Sequence, residues 1–363
     1  MYFRSFKSLL AAVFSAIFLF FAAPVWAGGG EGGGKLDPAK VIMEHIKDAH
    51  EFHFFTIKKG DGSEFHASIP LPVILYSPAP DRGLDVFLSS KFHHGHDAYK
   101  GYKLHEGKIH AVNEAGEELH DVKVYDLSIT KNVVQMILAL TLLVVLMISL
   151  ANRYKRGEGV TSAPKGWQNA VEPVITFVRD EVAKPNLGHN AQKYLPYLLT
   201  VFFFILINNL FGLIPGSANV TGNIAFTIVL GVISFFVILF STNKHFWGHI
   251  FWYPGVPVPV RVFIMLPVEL LGVFTKPFAL IVRLFANMVA GHIIILSFIT
   301  LIFIFGSMSV VAGWGFSPLS IAFAVFIYLI EILVAFIQAF IFTNLTAVFI
   351  GQAREGEHHD DHH

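Results

Sequence analysis

Apolar and polar positions divide this 363-residue chain into two regimes. Up to about residue 131 they alternate over short stretches, and from 132 onward long apolar runs are broken only by brief polar clusters. Residues 132–151 carry no charge, and about 20 apolar residues suffice to cross a hydrocarbon core as a helix. Residues 194–214 and 222–241 are predicted as the second and third spans, joined by the uncharged stretch 215–221. Residues 267–305 give potential helix of roughly 58 Å at 1.5 Å per residue. A helix of that length must tilt strongly or bend at Pro277 to fit a ~30 Å core. Residues 306–316 lack charge and suit an outside loop, so the last helix is expected at 318–351.

Between the first two spans, Trp167, Val171, Val174, Ile175, Val178 and Val182 recur at helical spacing, with Glu172, Arg179, Asp180 and Glu181 between them. That pattern predicts an amphipathic helix lying on the membrane surface. Arg153, Lys155 and Arg156 directly follow the first span and mark that end as cytoplasmic. The start of the chain agrees. Arg4 and Lys7 precede an apolar run at 9–21 and then Pro24-Val-Trp-Ala27, the layout of a signal peptide over 1–27. A glycine-rich linker, 28–34, follows.

Residues 35–131 read as a small extracytoplasmic domain. Asp37-Pro38 predicts a helix start, with helix over 38–50. Short strands are expected at 52–57, 65–69, 73–76, 85–88 and 122–125, the first two as a hairpin around Lys58-Lys-Gly-Asp-Gly-Ser63. Histidines concentrate here, including His93-His-Gly-His96, and again in the tail 352–363. Imidazoles suit zinc, copper or nickel, yet no spacing completes a defined site, and a solvated histidine-rich surface needs no ligand. The fold class expected is therefore an all-α polytopic membrane protein with five spans, a cytoplasmic amphipathic helix and two long tilted C-terminal helices. It carries a small N-terminal α+β domain outside the membrane. The membrane ion-translocating domain covers 132–351.

Composition narrows the function. Apolar residues make up 54% of the chain and charged residues only 14%, about half the charge of a soluble domain. Formal net charge is zero, which argues against nucleic acid, and the absence of cysteine excludes thiolate chemistry. The charges that remain inside apolar runs are therefore informative, because each costs a few kcal/mol or more in the bilayer. Glu269, Lys276 and Arg283 are spaced by seven and form one stripe on a helix, continued by Asn287. His292, two and a half turns beyond Arg283, points the other way. On the last helix Glu331 and Gln338 share a face, with Asn344 six residues on, and Ala335 leaves room for a close neighbour. Two adjacent long helices could set Glu331 near His292, and a histidine–carboxylate pair in a wet cavity can pass protons.

The stretch Leu280-Ile-Val-Arg283-Leu-Phe-Ala-Asn287-Met-Val-Ala-Gly291, with Glu331, Gln338-Ala-Phe and Asn209-Leu-Phe-Gly-Leu-Ile-Pro215, resembles subunit a of F-type ATP synthase. The resemblance covers about residues 130–351. It implies that Arg283 is the arginine facing a rotating ring of c subunits. It implies that Asn287 and Gln338 line the translocation path and that Glu269 is the carboxylate of the cytoplasmic exit. His292 falls where some bacterial members have glutamate and Glu331 where they have histidine, so one of each is kept, as in organellar relatives. An outer half-channel near His292, Glu331 and Asn344 would feed the ring, and an inner one near Glu269 would drain it. Lys276 joins the set by its place on the stripe. Partners implied are the c ring, the peripheral-stalk b subunits, the rest of the complex and the lipid bilayer of a bacterial inner membrane. No cofactor, no metal and no ATP chemistry of its own are implied. Gly212 and Ala279 depart from patterns with aspartate and serine, and the outer domain is unusually long. The competing reading is a secondary ion or metal transporter that collects its ion with the histidine-rich domain. Such proteins often show internal repeats, and none is visible here.

Overall fold

Short alternating runs become strands before residue 127, and long apolar runs become helices after it. The computed structural model describes residues 48–58, 64–79, 83–95, 97–105, 107–113, 116–119, 121–159, 166–214, 217–242 and 258–354. The expected signal peptide, glycine-rich linker, C-terminal histidine tail and most of the helix expected at 38–50 lie outside the described residues.

Strands β1 (Glu51–Lys58) and β2 (Glu64–Pro70) pair antiparallel, with Phe52 opposite Ile69. Strand β3 (Pro72–Tyr76) lies between β4 (Leu84–Leu88) and β7 (Tyr125–Asp126), both antiparallel to it. β5 (Tyr102–His105) and β6 (Lys108–Ala111) form a third pair. Four of the five expected strands stand at their places. The fifth, expected at 122–125, shrinks to Tyr125–Asp126. The β5–β6 hairpin was not expected: each strand has only four residues, too few for alternation to stand out. Val73, Leu75, Phe92, Tyr102 and Ile109 form the small core of this part, with Phe87 edge-on to Phe92 at 5.3 Å. His93 pairs with Asp97 at 2.6 Å, and among the described residues no three histidine or acidic side chains gather as a metal site.

This domain is tied to the first long helix by backbone chemistry. Helix α1 (Lys131–Lys155) begins without a side-chain cap of its own. Its orphan N–H groups are met from residues 48–49: the Lys131 amide donates to the Ala49 carbonyl (3.0 Å) and the Asn132 amide to Asp48 Oδ1 (3.3 Å). Beside them buried His50 contacts Asp126 at 2.6 Å. Burial pushes the Asp126 carboxyl up, but hydrogen bonds from His50 and Ser128 outweigh it and leave the group below its usual range.

Helix α2 (Trp167–Phe177), the start of the stretch expected on the membrane surface, continues through a π turn, Val178–Ala183, into α3 (Lys184–Leu187) and a 3-10 turn, Gly188–Asn190. Helix α4 (Ala191–Leu213) follows, then α5 (Ile224–Phe240). A π turn, Arg261–Met265, leads into α6 (Leu266–Met308), and α7 (Val310–Arg354) closes the described chain. Among the described residues four helical stretches are long and apolar enough to cross a membrane: Lys131–Lys155, Trp167–Leu213, Val258–Met308 and Val310–Arg354. At 17 residues α5 is shorter. The 43-residue α6 runs unbroken through Pro277, as expected of one long helix.

The loop expected at 306–316 is a correction. Only Ser309 leaves helical geometry, with extended φ −162° and ψ 149°. Its Oγ accepts from the Ala312 amide at 3.0 Å, so it caps the start of α7 two turns before Ser317-Pro318. Pro318 sits inside the helix. Gly306 and Gly313 let the two backbones close into a tight hairpin, since a Cβ on Gly313 would come within 2.8 Å of the Gly306 Cα.

The membrane core lies where α4 crosses α6 and α7. Leu198, Phe202 and Ile205 pack there with Leu280, Leu284, Phe342 and Ile350. Val178, Val182 and Leu187 of the surface stretch join the same core. α5 meets α6 where Gly231 admits the Ile281 side chain.

Candidate functional site

Helices α6 and α7 run antiparallel, and side-chain contacts set their register. Phe305 stacks on Phe316 with centroids 3.8 Å apart, and Phe298 on Phe323 at 5.3 Å. Farther from the hairpin tip, the Glu331 carboxylate lies against Gly291. Farther still, Lys276 Nζ lies 5.0 Å from the Phe349 ring centre and donates to Gln352 at 3.2 Å. Followed along both helices, this register sets His292 level with Glu331 and Arg283 level with Gln338. Glu269 falls where α7 ends.

Gly291 is what allows Glu331 in. A methyl group there would overlap the carboxylate, so the helix keeps bare backbone at this point. Glu331 is 6% exposed, and its Oε2 has no hydrogen-bond partner among the described residues. His292, the next residue along α6, is half-buried. The approach of Glu331 to the turn of α6 that carries His292 is thus built by a glycine that the sequence reading had used only as part of a motif.

Arg283 behaves differently. It is exposed, at the edge of the face of α6 on which Leu280, Leu284 and Met288 are buried. Its neighbours on that surface, Ala279 and Ala286, are small, exposed apolar residues. Among the described residues neither Arg283 nor Glu269 makes an ion pair. Lys276 is exposed on the same stripe, while Glu269 and Asn287 are half-buried. Gln338 is buried in α7.

Asn344 does not join this set. It accepts a hydrogen bond from Asn186 of α3 at 2.9 Å. It lies 13 residues beyond Glu331, roughly 20 Å along a helix. The expected grouping of Asn344 with His292 and Glu331 is therefore corrected: Asn344 belongs to the seam between α7 and the surface stretch. Six-residue spacing on a helix could not reveal how far down the bundle the neighbour sits.

Polar groups to which sequence reasoning gave no role complete the picture. Asn209 of α4 donates to the Ala335 carbonyl at 3.2 Å, one turn from Glu331, at the close approach that Ala335 was expected to permit. The side-chain oxygens of Asn208, Asn209, Thr221 and Ser320 are buried without a partner among the described residues. Gln135 of α1 accepts from Ser217 Oγ (2.6 Å) and from the Ala218 amide (2.8 Å), holding the 217–222 turn at the start of α1. The available signal was simple: amides inside apolar runs.

Residues 133–351, which hold every residue of this site, match the family model described as ATP synthase A chain. The chain belongs to the ATP synthase A chain family. Similar proteins include ATP synthase subunit a of Chloroherpeton thalassium, 47% identical over 239 residues, covering 65% of this chain and 70% of that one. ATP synthase subunit a 2 of Chlorobaculum tepidum is 47% identical over 252 residues, 67% of this chain and 68% of that one. ATP synthase subunit a of Myxococcus xanthus is 42% identical over 258 residues, 69% of this chain and 82% of that one. An ATP synthase A chain is a membrane stator subunit of the F-type enzyme with a part in proton translocation, and the secondary-transporter reading finds no support. Residues 41–127 match a separate model described only as a domain of unknown function.

Proposed function

We propose that this chain carries two offset proton paths that meet a ring of c subunits on either side of Arg283. One observation carries the reading. Arg283 is exposed on an apolar surface without an ion-pair partner among the described residues, while Glu331 is buried on the inner side of the same helix pair. A guanidinium facing lipid is costly, so that surface is built to meet a partner with an acidic group. A c-ring carboxylate passing Arg283 would be held ionised, because an opposite charge within about 4–6 Å lowers a carboxyl pKa. Arg283 would also block direct flow between the paths.

The outer path enters where Gln135 holds the 217–222 turn and proceeds by Asn209, His292 and Glu331. Buried oxygens without partners among the described residues support it. Leaving each dry costs about 1–3 kcal/mol, and such sites accommodate ordered water. Glu269 serves the inner path, about 21 Å from Arg283 along α6 at 1.5 Å per residue. Asn287 and Gln338 line the middle, and Lys276 holds the inner end of α7. In this reading α5 is a fifth span, the domain before α1 lies outside a bacterial inner membrane, and α7 ends in the cytoplasm near peripheral-stalk b subunits.

The test is ATP-driven quenching of a pH-sensitive dye in inverted vesicles, with assembly checked by blotting. Arg283→Ala abolishes pumping in an assembled complex. Arg283→Lys is strongly impaired, because an ammonium lacks the planar fork and is more strongly hydrated. Near-normal pumping by assembled Arg283→Ala would overturn the reading.

A further inference from the structure

A cavity of about 730 Å³ opens between α1, α4 and the surface stretch that precedes α4. Its rim carries Arg179, Lys184 and Gln192, and its walls are apolar, with Leu143, Leu195 and Leu199 among them. The polarity is graded along the helices. Arg179 and Lys184 lie on the surface stretch, whereas Leu143 is ten residues above Arg153, about 15 Å into the bilayer at 1.5 Å per residue. A cationic rim over a deep apolar wall has the polarity profile of a phospholipid.

The rim is a product of local backbone. In an α-helix, residues five apart point about 140° away from each other. Here Val178–Ala183 is a π turn, whose spacing brings i and i+5 together, and such turns are frequent at functional sites. Arg179 and Lys184 also share one carboxylate, Asp180, adjacent to the first and four residues before the second. Arg179 bonds Asp180 through Nε (2.9 Å) and Nη2 (2.8 Å), and Lys184 Nζ lies 2.7 Å from Asp180 Oδ1. Two cations share one anion, which leaves a surplus positive charge at the mouth. Arg179 Nη1 takes no part in the pair, and an ammonium has two further donors.

We propose that this cavity is a binding site for one anionic phospholipid, its phosphate at Arg179, Lys184 and Gln192 and an acyl chain between α1 and α4. Basic pockets between membrane helices on the cytoplasmic side suit anionic headgroups. A membrane helix from another subunit would cover the apolar walls but leave the surplus charge unanswered. The inference rests on the reading of α1 and α4 as spans. Its readout does not depend on proton movement, so its failure and that of the Arg283 test are separable.

The experiment places a photo-crosslinking benzoylphenylalanine at Met147, which also lines the cavity. The assembled complex is reconstituted in vesicles of equal phosphatidylglycerol and phosphatidylcholine, irradiated, and the labelled peptide weighed. Phosphatidylglycerol adducts exceed phosphatidylcholine adducts several-fold, and Arg179→Gln with Lys184→Gln brings the ratio to parity. Lys184→Gln alone lowers it partway, which keeps the test open if the double variant does not assemble. Added inorganic phosphate leaves the adducts unchanged. Equal labelling by both lipids in the unaltered chain overturns the proposal. So does a crosslink to another protein chain, or displacement by inorganic phosphate.

Discussion

At the scale of single residues, the site depends on what Gly291 lacks. Its missing side chain admits the Glu331 carboxylate between two helices and brings it level with His292. A carboxyl and an imidazole placed so can exchange roles as proton stations, because neither needs a fixed position in the chain to do its chemistry. The exchange His292→Glu with Glu331→His is therefore expected to keep more ATP-driven pumping than either single change. A double variant no better than the worse single one would show that the two do not act together. Arg283 offers no such latitude, since its role requires a charge that a shifted pKa cannot remove.

At the scale of elements, close approach is controlled by glycines aimed at backbone. A Cβ on Gly351 would overlap the Asn186 carbonyl, which cannot rotate aside. That contact seats the end of α7 on α3, next to the hydrogen bond between Asn186 and Asn344. Gly351→Ala is expected to destabilise the subunit by about 1–3 kcal/mol, as overpacking does. The check is thermal unfolding of the purified complex followed by the retention of this subunit. Gly272→Ala is the control, because nothing lies within 4 Å of a Cβ there, and it leaves the midpoint unchanged or slightly raised.

At the scale of the whole molecule, one device joins the two halves of the chain. In the proposed topology, Arg153, Lys155 and Arg156 put the end of α1 on the cytoplasmic side by the positive-inside rule. Residues 48–49 close the opposite end of α1 by accepting from its first amides. The domain of β1–β7 thus sits where the outer path is proposed to enter. Protease added to intact spheroplasts is expected to remove the region 28–131 and spare a tag at His363. Digestion of the tag alone would reverse the topology.

The sequence by itself determined the helices, the stripe of Glu269, Lys276 and Arg283, and the family, because long apolar runs and charges inside them are local signals with large energies. It also placed four strands, where alternation ran for several residues. It misplaced the start of α7, since Ser309 could be recognised as a cap only once the chain was seen to reverse there. It grouped Asn344 with Glu331 because spacing reports the face of a helix and not which neighbour packs against it. Only the tertiary structure decided that Glu331 lies against Gly291, that Arg283 points outward, and that a π turn sets Arg179 and Lys184 over one cavity. Each depends on the register and packing between elements distant in sequence, and no pattern within one run of residues encodes that register.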